Sequence, residues 1–162
     1  MKIPYKAVVT LPALACAFLI ALSACDRSSE PVEDYHFVGI TQTDATGVTI
    51  GSPDSDDWCE SSVGPGNIPN QYALWPAFPN PAVGSITVRF GLPIVDSVEV
   101  YILAWPSRKV RSLVNGSRNA GSFAITWDLR NDDGDLLEPD IYRCVMRTGT
   151  FICHGDILIP GP

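Results

Sequence analysis

Ile86-Thr-Val-Arg-Phe-Gly-Leu92 decides the fold. Ile86, Val88 and Phe90 are apolar, and Thr87 and Arg89 between them are polar. A period of two turns one set of side chains toward a core and the other toward water, as in a half-buried β-strand. The alternation recurs through the C-terminal part of the chain. Val98, Val100 and Ile102 alternate with Glu99 and Tyr101. Phe123, Ile125 and Trp127 alternate with Ala124 and Thr126, and Tyr142, Cys144 and Met146 with Arg143, Val145 and Arg147. Val110 and Leu113 lie in a weaker run, and Ile157 and Ile159 close the series. Turn signals separate the runs: Leu92-Pro93, Asn115-Gly116, Asn131-Asp-Asp-Gly134 and Thr148-Gly149. No stretch beyond residue 24 has the spacing of an amphipathic helix. Six to seven short strands over about 90 residues predict an all-β, antiparallel immunoglobulin-like sandwich across residues 68–162.

The other end of the chain carries an export signal. Lys2 and Lys6 precede an apolar run from Ala7 to Ala21, broken only by Thr10 and Pro12, and small residues lead into Cys25. A spanning helix needs about 20 apolar residues, and this run is shorter and contains a proline. Leu22-Ser-Ala-Cys25 resembles the lipobox of bacterial lipoproteins at every position. The resemblance implies that residues 1–24 are a signal peptide and that Cys25 becomes the lipidated first residue. It places the chain in the cell envelope, on the periplasmic or the surface face of a membrane. Two or more acyl chains, at about 0.8 kcal/mol per buried CH₂, make a stable anchor. An ordinary cleaved signal and an uncleaved anchor helix are the alternatives.

Charge divides the remainder. The chain has 11 basic and 18 acidic residues. Residues 26–67 hold nine acids against Arg27, whereas residues 68–162 hold nine acids and eight bases. The first stretch reads as an acidic, solvated tether and linker over 25–67, and the second as a nearly neutral globular domain. Within the linker, β-favouring residues 36–41 and 48–50 flank Asp44-Ala-Thr-Gly47, which predicts a small hairpin. A lone hairpin is marginal in water, so this one must dock on the main domain. No basic patch offers a nucleic-acid surface.

The alternating region also resembles the immunoglobulin-like domain named after the flagellar hook-capping protein FlgD. Phe78-Pro-Asn-Pro81 after Leu74 matches its opening motif. Val98-Glu-Val-Tyr101, Arg108-Lys-Val-Arg-Ser-Leu-Val-Asn-Gly116, Thr126-Trp-Asp128, Asp132-Asp-Gly134 and Ile141-Tyr-Arg143 follow in the family's order. The segment Ile102-Leu-Ala-Trp-Pro-Ser107 is longer than the family's equivalent. The resemblance implies a modular, non-catalytic domain. Related C-terminal domains act in sorting for secretion. In the opening motif, Pro79 and Pro81 remove amide donors and steer the chain into the first strand without a free edge.

Cysteines and acids supply the remaining candidates. Cys16 and Cys25 belong to the signal region, leaving Cys59, Cys144 and Cys153. A two-residue turn at Thr148-Gly149 would place Cys144 opposite Cys153 on a non-hydrogen-bonded rung. Its Cα spacing of about 4.5 Å lies within disulfide range. A Cys144–Cys153 disulfide is therefore expected in an oxidising compartment, with Cys59 as an alternative partner. Asp128, Asp132, Asp133 and Asp135 around Gly134 invite calcium, but their spacing is not that of an EF-hand, and turn chemistry explains them. Trp127 is expected in the core with its N–H bonded.

No catalytic constellation stands out. His36 and His154 are the only histidines and lie in no hydrolase or metal motif. The sequence predicts no enzyme, no cofactor and no metal. It predicts instead a lipid-tethered module that binds or braces another envelope protein, an exposed strand edge being the plausible docking surface. A sorting module is one alternative. A polysaccharide-binding module is the other, with Trp58, Trp75 and Trp105 as sugar platforms, although Trp75 and Trp105 precede prolines and are expected to pack on the sandwich.

Overall fold

The computed structural model describes residues 39–162. The signal segment, Cys25, residues 26–35 and His36 lie outside the described residues. Nine strands follow: β1 (Gln42–Thr43), β2 (Thr49–Ile50), β3 (Ala73–Val83), β4 (Ser85–Leu92), β5 (Asp96–Ala104), β6 (Arg108–Arg118), β7 (Gly121–Trp127), β8 (Asp140–Arg147) and β9 (Ile152–Ile159). They form two antiparallel sheets, ordered β2-β1-β3-β4-β7 and β6-β5-β8-β9. The fold is an all-β antiparallel sandwich.

The alternation does what its period requires. Leu74, Ile86, Val88, Phe90 and Trp127 from one sheet meet Val98, Val100, Ile102, Cys144, Met146 and Ile157 from the other, all fully buried. Each large aliphatic or aromatic side chain so buried contributes roughly 1.5–3 kcal/mol relative to exposure. The Trp127 indole N–H donates to the Arg130 carbonyl at 2.9 Å. Tyr142 meets the indole edge-on at 6.1 Å, and its hydroxyl donates to the Glu138 carbonyl at 2.9 Å. That hydroxyl bond pins the entry to β8.

The small hairpin forms and docks. β1 pairs with β2 around a turn in which the Asp44 carboxylate accepts the Thr46 and Val48 amides at 2.8 and 3.0 Å. Those bonds hold the Asp44 carboxyl below its usual range, the Thr46 hydroxyl contributing most. Thr43 pairs with Asn80 of β3, and its hydroxyl donates to the Ala77 carbonyl at 2.7 Å. The sandwich therefore begins near Thr41, inside the stretch read as linker. Cys59 also bridges Leu74, so a boundary at residue 67 is too late.

The opening motif lies within β3 rather than before it. Its Phe78-Pro79 and Asn80-Pro81 bonds are cis. β3 has neighbours on both sides, and its pairing with β4 is irregular around Phe78. The prolines thus sit where the ladder has gaps, which is where a central strand tolerates a missing N–H.

The predicted Cys144–Cys153 disulfide does not form. Cys153 bonds to Cys59 instead, with Cα atoms 6.1 Å apart, and Cys144 is a buried free thiol. The turn is the reason. Arg147 pairs with Ile152, and residues 148–151 form a four-residue loop closed by the Thr148 amide on the Phe151 carbonyl at 2.8 Å. Two extra residues keep every side chain on its expected face but slide the register. Cys144 now faces Gly155, and Cys153 faces Met146.

β8 departs from simple alternation as well. Arg143 and Val145, expected to meet water, are buried. Arg143 forms a two-pronged ion pair with Asp156 of β9, Nε–Oδ1 and Nη2–Oδ2 both at 2.8 Å. Removing either partner would strand a buried charge.

Candidate functional site

A sandwich of open sheets has four edges, and each edge presents unpaired amides and carbonyls. Three of the four are managed. β9 is laced to its surroundings: its His154 carbonyl accepts the Trp58 amide at 2.7 Å, and its Asp156 amide donates to Asp57 Oδ1 at 3.0 Å. Asn80 completes the lacing, donating to the Asp156 carbonyl at 2.9 Å and accepting the Leu158 amide at 3.0 Å. Its Nδ2 also reaches the Thr41 carbonyl at 2.9 Å. One buried amide side chain thus ties β9 of one sheet to the other sheet. β6 is capped by Asp132, whose amide donates to the Val110 carbonyl at 2.9 Å and whose carboxylate accepts the Ser112 amide at 3.1 Å. β2 is only two residues long.

β7 is the exception. Its one strand neighbour is β4, with an unbroken register from Ile86–Trp127 to Leu92–Gly121. Among the described residues, no group outside β4 bonds its main chain. Its sequence, Gly121-Ser-Phe-Ala-Ile-Thr-Trp127, carries no charge. Ala124 and Thr126 are exposed, while Phe123 and Ile125 on the core-facing side are half-buried. Phe123 stacks on Phe90 at 5.0 Å.

A groove runs along the outer face beside this edge. It has a volume of about 320 Å³ and is lined by Trp75, Arg89, Ser122, Phe123 and Ala124, with Val63 and Asn67 overhanging. Trp75, Arg89 and Ala124 stand side by side on β3, β4 and β7. The Trp75 indole N–H donates to the Ser61 carbonyl at 3.1 Å, which fixes that wall. Its ring lies over Gly91, where an added Cβ would come within 2.7 Å of it. Ser122 anchors the overhang by donating to the Asn67 carbonyl at 3.0 Å. The Arg89 guanidinium lies over the Phe78 ring at 5.0 Å, a cation–π contact. Its Nε is buried and has no hydrogen-bond partner among the described residues.

The other sequence candidates scatter. Trp58 packs on Gly155, Trp75 forms the groove wall, and Trp105 is 65% exposed in the β5–β6 hairpin of the opposite sheet. Trp75 therefore packs as expected and Trp105 does not, and the three share no platform. The Asp128–Asp135 segment works as a turn: Asp128 accepts the Arg130 amide at 3.3 Å, Asn131 Oδ1 accepts the Asp135 amide at 2.8 Å, and Asp132 caps β6. Arg111 approaches Asp128 and Asp132 at 3.8 and 3.9 Å. Among the described residues, no group of three or more His, Cys, Asp or Glu could hold a metal ion. Cys144 is wholly buried, and desolvation pushes its thiol far above the usual value, so it stays protonated and unreactive. Sequence reasoning missed Arg89. The local hint was an arginine on the water-facing side of a strand, and its lack of an acidic neighbour shows only once the strand order is known.

Compared with known proteins, the chain matches no family model, no curated protein and no solved structure.

Proposed function

We propose that the chain is a non-catalytic envelope lipoprotein, anchored through lipid on Cys25, whose sandwich docks another envelope protein along β7. The observation that supports it most is selective: among the described residues, β2, β6 and β9 are short, capped or laced, while β7 is left open and uncharged beside a groove. Strand addition to such an edge supplies main-chain hydrogen bonds for affinity and side-chain pockets for specificity.

The test is a photo-crosslinking amino acid at Thr126 in growing cells, with one at Asp133 as control. The expected result is a discrete protein adduct from position 126 and none from 133. Labelled fatty acid should enter the wild type and not Cys25→Ser. No adduct from position 126 would remove the docking role. Absence of label in the wild type would remove the anchor.

A further inference from the structure

We infer that the β7 edge takes an extended peptide strand bearing a carboxylate side chain opposite Ala124, and that Arg89 is the residue that recognises it. This rests on the docking role proposed above and names the chemistry of the partner.

Among the described residues, Arg89 is a cation with no anion. Acids outnumber bases 18 to 11 in this chain, so a basic side chain on its surface has carboxylates to choose from. Arg111 and Arg143 have theirs; among the described residues Arg108, Lys109, Arg118 and Arg130 form no ion pair but are exposed to water, whereas Arg89 is half-buried. Among the described residues no carboxylate comes within ion-pair distance of Arg89, and its buried Nε donates to nothing. An unfilled buried donor on a charged group costs more than a neutral one, and a ligand carboxylate would remove that cost. Guanidinium groups favour carboxylates because the two-pronged geometries match.

Position then selects the kind of ligand. Arg89 and Ala124 are cross-strand partners on the same outer face. A strand added to β7 would put its own outward residue opposite Ala124. That residue would stand two strand spacings, about 10 Å, from the Arg89 backbone. An extended arginine and a glutamate together span that gap. Ala124 is exposed and projects only a methyl. In the free protein the guanidinium rests over Phe78 on β3, the side of β4 away from β7, so it must swing off that ring toward β7 to meet the acid. Facing the half-buried Phe123 and Ile125, the same strand would carry apolar residues at the alternate positions. The occupant is therefore an extended segment of alternating apolar and polar residues with an acid on its polar side. A second copy pairing through its own β7 would bring no carboxylate.

The test uses the full chain in detergent and a fluorescein-labelled eleven-residue peptide. The peptide alternates valine and threonine, with one central threonine replaced by glutamate; twins carry glutamine or lysine there. Binding is read by fluorescence anisotropy. The glutamate peptide is expected to bind about tenfold more tightly than the glutamine twin, the range for a hydrogen bond to a charged group, and to weaken as salt is added. Arg89→Gln should erase the preference with an unchanged circular dichroism spectrum. Arg89→Glu should transfer it to the lysine peptide. Equal binding of all three peptides, or a glutamate preference that survives in Arg89→Gln, would overturn the inference. So would self-association of the protein that excludes peptide, or tighter binding of a uronate oligosaccharide than of the glutamate peptide. If the charge preference fails while position 126 still captures a protein in cells, Arg89 loses its role and edge docking stands. If position 126 captures nothing, edge docking falls with it.

Discussion

Asp57 is 7% exposed, and replacing it with asparagine should make the protein more stable above neutral pH while leaving it nearly unchanged in acid. One carboxylate oxygen accepts the Asp156 amide, and the other is buried with no partner among the described residues. Asp156, Asp54 and Asp56 add negative charge around it, and desolvation is the largest cause of a carboxyl value raised to about 7. Arg143 is already committed to Asp156. The folded value lies above the unfolded one, so between about pH 4 and 7 the native state holds a proton that the unfolded state has lost. Stability must fall as pH rises through that window and level off above it. A rise from 3.8 to about 7 corresponds to at most about 4 kcal/mol. Residual solvent and local relaxation lower this, and we expect about 1–3 kcal/mol. Asparagine keeps the oxygen that accepts the Asp156 amide and cannot ionise. Urea unfolding of wild type and Asp57→Asn at pH 4.5 and pH 8 measures the difference. The variant should gain about 1–3 kcal/mol at pH 8 and less than about 0.5 kcal/mol at pH 4.5, within the range of ordinary substitutions. An equal effect at both pH values, or a wild type that becomes more stable between pH 5 and 7 relative to the variant, would refute the reasoning.

Three further outcomes follow from the packing. Non-reducing peptide mapping should find Cys59 joined to Cys153. Cys59→Ser should cost about 4–5 kcal/mol, because the bond closes a loop of 94 residues, whereas Cys144→Ser should leave the disulfide intact. Asn80→Ala removes the bonds to Thr41, Asp156 and Leu158 together. It should cost about 2–4 kcal/mol at roughly 1 kcal/mol for each bond plus the stranded groups, with faster amide exchange at Leu158 as its local signature. Gly155→Ala would drive a methyl into the Trp58 indole, which lies 2.2 Å from the position of the new Cβ. The resulting overpacking should cost about 1–3 kcal/mol, read as a lower thermal midpoint and altered tryptophan fluorescence.

Much of the sandwich could be read from the chain because its strands keep a strict period of two, and burying one face of each leaves little choice. What could not be read depended on single residues in turns and on partners distant in sequence. Thr148 to Phe151 offered a plausible two-residue turn, and only the length of the actual loop decides whether Cys153 faces Cys144 or Met146. Cys59 lay in a stretch whose Ser, Pro, Asp and Gly content signals a linker, and no local pattern reveals that it crosses to the last strand. Arg143 looked solvated because its partner, Asp156, is 13 residues away on the next strand. In the Phe-Pro-Asn-Pro motif the prolines drew attention, but Asn80 holds the two sheets together. The open edge had a sequence signature in the uncharged run from Gly121 to Trp127. The vacancy beside Arg89 needed the strand order before it could be seen.

The Cys59–Cys153 bond also sets how the molecule responds to force. A pull applied to the two ends of the chain travels along the backbone to Cys59, crosses the sulfur bridge to Cys153 and leaves through β9. Strands β3 to β8 lie inside the bypassed loop and carry none of that tension once the flanking segments are drawn taut. At about 3.3–3.6 Å per extended residue, the 94-residue loop withholds roughly 300 Å of contour that would otherwise pay out. Under traction from either terminus the chain behaves as a short leash with a sheltered body, and β7 lies inside the sheltered part.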